Sequence, residues 1–356
     1  MSRLLQKRSA MLFALLAVIM CLGLSMTALS ALFWFTPVHG AGVAPTPGIT
    51  PTASATPGIT AFTEPDAGEQ VITNAITGAK KSVWLEMYLL TDTTVIQALE
   101  NAARNGVDVR VMLEPHPYGG GSPQSTEAAL KQAGASVEDT SPAFTLTHEK
   151  GMIIDGSTAY IMSCNFTYSA LNGKNREYGI IDTNPQDVQG VTAIFTADWN
   201  RTTVSQIADP DLIVSPINAR SDLTAFITNA QHSLVIEAEE LEDSSIIQAI
   251  ASAAQRGVAV QVILPVPSGS SDPNASGIAA IKAAGAHVEE DAQLYMHAKM
   301  MVEDGTTGYV GSENFSTQSL DSNRELGLLI TDNAALSLLQ QTFQQDWSVS
   351  QPALVG

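Results

Sequence analysis

Cysteine is nearly absent: Cys21 and Cys164 are the only two in 356 residues. Once exported without its apolar N-terminal stretch, the chain would hold a single thiol and no intrachain disulfide. Positive charge is scarce as well, with 17 Lys and Arg against 36 Asp and Glu and a net charge of -19. So acidic a surface repels polyanions at long range, which disfavours sequence-independent grip on nucleic acid. Neither Gly119-Gly120-Gly121 nor Pro267-Ser268-Gly269-Ser270 ends in the Gly-Lys-Ser/Thr of a phosphate loop, so both read as rim loops or plain connections. No His/Asp/Glu cluster has a recognisable ligand spacing, and neither metal nor cofactor is expected. With 45% hydrophobic and 15% charged residues, disorder is excluded for most of the chain.

Charge is also unevenly placed. Arg3, Lys7 and Arg8 are the only charged residues among the first 40, which leaves 14 basic against 36 acidic for the remainder. Residues 11–35 carry no charge, and Val38-His39-Gly40 precedes Ala41 as a small-residue cleavage site. Residues 1–40 therefore read as a signal peptide or an N-terminal membrane anchor, and both place the body outside the cytoplasm, secreted or tethered. Residues 41–65 are rich in Pro, Thr, Gly and Ala and repeat Pro-Gly-Ile-Thr at 47–50 and 57–60, the composition of an extended linker.

The remainder is a tandem repeat. His148-Glu149-Lys150, Asp155, Ser163 and Asn165 recur in order as His297-Ala298-Lys299, Asp304, Ser312 and Asn314, 149 residues later. Upstream, Glu86 and Gly106 match Glu237 and Gly257 at an offset of 151; downstream, Glu177 and Trp199 match Glu325 and Trp347 at 148. Such drift is what small insertions leave in an old duplication. It divides the folded part into residues 66–205 and 206–356.

Each half reads as alternating strands and helices, hence an α/β class with two α/β/α sandwich halves related by a pseudo-twofold axis. The pattern predicts a strand at 82–90, a helix at 94–105, a strand at 107–113, a helix at 127–132 closed by Gly134, and a strand at 135–138. The second half predicts the same series at 233–239, 245–256, 258–265, 277–284 and 286–289. Asp155-Gly156 and Asp304-Gly305 then sit at hairpin turns between strands at 152–154 and 158–162, and at 300–302 and 307–310. His and Lys two residues apart on a strand project to one face, so each half can offer both to a single cleft.

The pattern His-x-Lys, four residues, Asp, six residues, Gly-Ser-x-Asn resembles the signature of the phospholipase D superfamily, and its two copies resemble the single-chain members. The second copy matches throughout; the first has Met162 where the family has Gly. The resemblance spans residues 66–350 and implies phosphodiester cleavage through a covalent phosphohistidine. One of His148 and His297 attacks phosphorus while the other donates a proton to the leaving alcohol and later deprotonates the incoming water. The sequence does not fix which attacks; analogy with two-motif relatives favours His148. Lys150, Lys299, Asn165 and Asn314 would cradle the phosphoryl group, with Ser163 and Ser312 as weaker candidates. The orienting acids implied by the resemblance are Glu177 and Glu325, in Asn175-Arg176-Glu177 and Asn323-Arg324-Glu325, one for each histidine. Asp155 and Asp304 read as structural, and Ser163 and Ser312 are placed with them as residues that support the site from behind.

The expected activity is an exported phospholipase D-type phosphodiesterase that hydrolyses membrane phospholipid to phosphatidic acid and free head group, with one chain sufficient for one site. Tyr88 and the acids of 237–240 are placed to receive a cationic head group. The alternatives are an endonuclease of the same superfamily, a phosphatidyltransferase of the cardiolipin synthase type, and a lipid-binding module with a dead cleft. Cys164 beside Asn165 invites reading as a nucleophile, but its counterpart is Glu313, which points to a variable small-residue slot.

Overall fold

A computed structural model describes residues 58–354 other than Gly120 and Ser270. These residues belong to one compact unit. The leader at 1–40 and most of the linker lie outside the described residues. The first half runs β1 (Ile59–Glu64), α1 (Gln70–Gly78), β2 (Ser82–Met87), α2 (Thr93–Arg104), β3 (Asp108–Leu113), α3 (Gln124–Ala133), β4 (Ser136–Asp139), β5 (Lys150–Ile154), β6 (Thr158–Met162), α4 (Tyr168–Leu171), β7 (Asn175–Asp182) and α5 (Pro185–Trp199). The second runs β8 (Leu212–Ser215), α6 (Ala219–Asn229), β9 (Ser233–Ala238), α7 (Ser244–Gln255), β10 (Ala259–Pro265), α8 (Ala275–Ala283), β11 (His287–Asp291), β12 (Tyr295–Met296), β13 (Lys299–Glu303), β14 (Thr307–Gly311), α9 (Thr317–Asp321), β15 (Glu325–Ile330), α10 (Asn333–Val349) and β16 (Gln351–Pro352).

Two mixed sheets result, ordered β1-β7-β6-β5-β2-β3-β4 and β16-β11-β10-β9-β13-β14-β15-β8. In each, the three strands linked by helices pair in parallel, and the hairpin that follows them pairs antiparallel. The linker is shorter than its composition predicted. Ile59–Glu64 is a full strand paired antiparallel along β7, with Phe62 buried. Alternating Ile59, Ala61 and Thr63 is weak as sequence, and only the partner strand makes it a strand.

Local signals start and turn the elements. Asp92 and Asp243 cap α2 and α7, each carboxylate accepting from two backbone N–H groups of the first turn. The hairpin turns place Asp155 and Gly156 at φ 54° and 66°, and Asp304 and Gly305 at 51° and 69°. Two consecutive left-handed residues are what Asp-Gly supplies at little steric cost.

Three apolar cores hold the molecule together. One packs α1, α2 and α3 on the first sheet, and another packs α6, α7 and α8 on the second. The third belongs to neither half alone. It combines Ile153, Ile161 and Ile180 of the first sheet with Met300, Val310 and Leu328 of the second, sealed by α5 and α10. α10 packs on β13 and β14 of its own sheet and also on β1, while α5 packs on β5, β6 and β8. The halves are homologous sandwiches that share their inner layer. Among the described residues, no helix is long and apolar enough to cross a membrane.

Candidate active site

The shared layer lays the His-x-Lys segment of each half along the Asn-Arg-Glu segment of the other. Thr147 bridges Arg324 in parallel, and the His148 N–H donates to the Arg324 carbonyl at 2.9 Å. In the mirror arrangement β12 pairs in parallel with Asn175 and Arg176, and the His297 N–H donates to the Arg176 carbonyl at 3.3 Å. The orienting acids therefore cross over. Glu325 accepts from His148 Nδ1 at 2.9 Å, and Glu177 accepts from His297 Nδ1 at 2.8 Å. A carboxylate on Nδ1 fixes the proton there and leaves Nε2 for chemistry.

Both glutamates are fully buried and held in turn. Ser163 Oγ donates to Glu177 at 2.7 Å and Asn175 Nδ2 at 3.1 Å. Ser319 Oγ and Asn323 Nδ2 do the same for Glu325 at 2.7 and 3.2 Å. Of the two readings given to Ser163 and Ser312, the supporting role fits these contacts and the weaker one, a share in holding phosphate, does not. Ser163 is spent on Glu177, and the Ser312 hydroxyl accepts the Leu326 N–H at 3.1 Å inside the sheet. Ser319 carries no sequence signal, because its counterpart in the first half is Ala170.

Clamping the crossover are two buried ion pairs that the sequence reading left unassigned. Arg176 forks onto Asp346 of α10 at 2.5 and 2.9 Å, and Arg324 forks onto Asp198 of α5 at 2.8 and 3.1 Å. Each joins one half's Asn-Arg-Glu to the other half's Asp-Trp. The signal was present as the repeat itself, an arginine and an aspartate each recurring in both halves at the same offset of 148.

His148, His297, Asn165 and Asn314 line one cleft of about 660 Å³. Among the described residues the amide oxygens of both asparagines have no hydrogen-bond partner, and it is the amide NH2 groups that can donate to a phosphoryl oxygen. Lys150 and Lys299 are almost wholly buried, and each ammonium donates to the carbonyl of its own histidine. Burial pushes Lys150 down to about 7. Burial also pushes His148 below its ordinary value, against the pull of Glu325. Despite its own burial, Glu325 is held below the usual carboxylate range by His148.

The cleft walls differ. Tyr88, Leu89, Tyr118 and Leu146 come from the first half; Glu239, Glu240 and Glu242 from the second. Tyr88 does not stand free for a cationic head group. Its ring edge meets His148 at 4.7 Å, Lys150 Nζ lies 5.0 Å from its centroid, and its hydroxyl accepts the Tyr118 N–H at 2.5 Å. Glu237, with its counterpart Glu86, is buried beneath the site, where desolvation raises both well above the carboxylate range.

Asp155 and Asp304 lie away from the cleft. Asp155 accepts from the backbone N–H groups of Lys80, Lys81 and Ser82 at 2.6–3.0 Å, and Asp304 from those of Gln231, His232 and Ser233 at 2.7–2.9 Å. Each pins the turn of its hairpin to the start of β2 or β9. Cys164 is buried in apolar surroundings that push its thiol well up, the opposite of an activated nucleophile. Met162 exchanges with a neighbour rather than distorting the site. At Gly311 a Cβ would run into Tyr309 Oη and Glu313 Oε2, which bond each other at 2.5 Å. In the first half Cys164 replaces Glu313, and Met162 fills the vacated volume within the apolar core.

The ligand atoms of Glu86, Glu149 and Asp198 lie within 4.8 Å of one another. This trio suits shared protons better than a cation, because both Asp198 oxygens are taken by Arg324 and burial pushes Glu149 up to about 8.

Comparison with known proteins agrees with this geometry. The family described as "Cardiolipin synthase, PLD-like domain" matches residues 72–199 and again 223–347, most of the chain. The chain belongs to the phospholipase D superfamily. A probable cardiolipin synthase of Bacillus subtilis is 25% identical over 323 residues, covering 79% of this chain and 64% of the relative. A cardiolipin synthase of Oceanobacillus iheyensis is 24% identical over 335 residues, covering 81% and 68%. The chain thus spans about two thirds of the length of these relatives. The phosphatidylserine synthase structure from Haemophilus influenzae shares the fold at a TM-score of 0.64 and 12% identity, over 83% of this chain and 87% of that one.

Proposed function

We propose that this protein is a phosphatidyltransferase of the cardiolipin synthase type, working through a phosphohistidine. The observation that carries the reading is the crossover, which gives one cleft two imidazoles, each with Nδ1 on a buried carboxylate of the opposite half. In the first step His148 Nε2 attacks the phosphorus of a donor phospholipid. The bond to the head-group oxygen breaks, and protonated His297 supplies that oxygen with its proton. In the second step His297, now neutral, takes a proton from the hydroxyl of an acceptor lipid. That oxygen attacks phosphorus and releases His148. Lys150, Lys299 and the amides of Asn165 and Asn314 would hold the phosphoryl oxygens as charge gathers on them.

His148 suits the attacking role because burial keeps it neutral where an exposed histidine would begin to charge. Hydrolysis to phosphatidic acid, the expectation from sequence, differs only in using water as acceptor. The relatives' name, cardiolipin synthase, supports an alcohol as acceptor here. Nucleic acid fits poorly beside the acidic wall of Glu239, Glu240 and Glu242. Residues 1–40, as signal peptide or anchor, would leave the body secreted or tethered at the extracytoplasmic membrane face, and one chain would suffice.

The test is incubation of the full chain with phosphatidylglycerol vesicles and chelator, with products separated by mass spectrometry. Cardiolipin and glycerol in excess over phosphatidic acid support transfer. Phosphatidic acid alone restores the hydrolase, and cleavage of single-stranded DNA alone removes both lipid readings.

A further inference from the structure

The two halves of the cleft differ most at one pair of equivalent positions. Tyr88 in the first half corresponds to Glu239 in the second, at the same offset of 151 that relates Glu86 to Glu237. Tyr88 leaves His148 with a single carboxylate, Glu325. Glu239 gives the second half another anion: its Oε2 lies 2.8 Å from Lys299 Nζ and 3.4 Å from His297 Nε2, while Tyr295 Oη donates to its Oε1 at 3.0 Å. Lys299 Nζ and His297 Nε2 are the groups that would receive a phosphoryl oxygen on this side of the cleft. The Glu239 carboxylate therefore stands where a substrate anion has to go. Buried as it is, His297 and Lys299 hold it ionised, well below the usual carboxylate range.

Formal charge shows what this does to binding. With Glu239 ionised, Lys150 and Lys299 face three carboxylates, those of Glu177, Glu325 and Glu239. A protonated His297 brings the site to neutrality and no further. A phosphodiester adds one negative charge, whereas a phosphomonoester or inorganic phosphate adds up to two, so the fixed anion penalises the dianion about twice as heavily. Building on the phosphoryl site proposed above, we propose that Glu239 is a specificity-determining residue, a tethered anion that occupies the phosphoryl subsite and selects singly charged diesters against dianionic phosphate groups. The substrate displaces it towards Tyr295 and the open side of the cleft. A phosphomonoester formed by stray hydrolysis, or free phosphate, displaces it poorly and does not clog the site.

The test uses the full chain and calorimetric titration with two probes, inorganic phosphate where it is dianionic and the diester glycerophosphoglycerol. Glu239→Gln removes the charge and keeps the shape; Glu239→Tyr copies the side chain that the first half already carries there. Both variants should bind inorganic phosphate about tenfold or more tightly than the parent, with a clearly smaller gain for the diester. Equal gains for both probes, or weaker binding of both as a merely structural role would give, overturn the proposal while leaving the phosphoryl site intact. If no form of the protein, parent or variant, binds either probe, the phosphoryl site itself is wrong and this proposal falls with it. Circular dichroism melting of each variant accompanies the titrations, and Glu239→Tyr supplies the reading should Glu239→Gln fail to fold.

Discussion

The two halves carry the same reacting groups in different surroundings. On the first side His148 has Glu325 at Nδ1, Tyr88 against its ring and Lys150, whose ammonium, among the described residues, donates to the His148 carbonyl alone. On the second side His297 lies between Glu177 and Glu239, and Lys299 is paired to Glu239. Duplication has preserved the scaffold of the reaction, and divergence has worked on its charge. Burial lowers His148 towards the neutral imidazole that attacks, while the second side sets a further carboxylate, Glu239, beside His297 Nε2. The chemical roles of the halves thus separate without any change in the His-x-Lys-Asn set.

Breaking the crossover should have the largest effect. His148→Asn and His297→Asn should each lower turnover about a thousandfold or more, measured by product formation from phosphatidylglycerol. Glu325→Gln should impair attack by His148, and Glu177→Gln should impair His297 in both steps; a donor whose leaving group needs no proton should therefore restore formation of the covalent intermediate, which then accumulates, in Glu177→Gln but not in Glu325→Gln. If the glutamates served their own halves, the two outcomes would be exchanged.

Next in size are the buried ion pairs. Arg176→Met and Arg324→Met each strand an aspartate of the opposite half, which should cost about 3–5 kcal/mol in urea denaturation. Adding Asp346→Leu to the first, or Asp198→Leu to the second, should recover most of that loss. Failure of the cross-half partner to rescue would contradict the pairing.

A third prediction separates the halves by pH. Glu149 faces Glu86 and Asp198 in the first half, whereas its counterpart in the second half is Ala298. Its folded value, about 8, lies above the 4.5 of an unperturbed glutamate, so the proton is bound more tightly in the folded state. Its stabilising contribution is complete below about pH 4.5 and is lost as pH rises towards about 8, at up to about 1.4 kcal/mol per pH unit. Glu149→Gln should flatten the fall of melting temperature across that window. An unchanged slope would show that Glu149 ionises freely.

The smallest effect tests sameness rather than difference. Asp155→Ala and Asp304→Ala should each cost about 1–3 kcal/mol, nearly equally, since each frees three backbone N–H groups at equivalent turns. Activity per folded molecule should stay close to that of the parent.

Much of this was legible in the chain. Fixed spacing from His through Asp to Asn marked the repeat, and Asp-Gly between short apolar runs marked both hairpins. What escaped depended on contacts between distant segments. Ile59–Glu64 looks like linker because its strand character comes from β7. The choice of histidine for each glutamate follows from parallel bridges between halves that no local pattern encodes. Ser163 could be read beside its motif asparagine as supporting the site or as touching phosphate, and only its contact with Glu177 decides for the first. Glu239 was read as an acid for a cationic head group, since a strand end does not reveal that its carboxylate falls between His297 and Lys299.

The most direct measurement of the shared site is the number and position of phosphoryl groups trapped per chain when the protein is acid-quenched during turnover of labelled phosphatidylglycerol. At most one per chain, on His148 and absent from His148→Asn, is the result predicted. Two per chain, or equal labelling of His148 and His297 in separate peptides, would mean that each half reacts alone and would contradict the account.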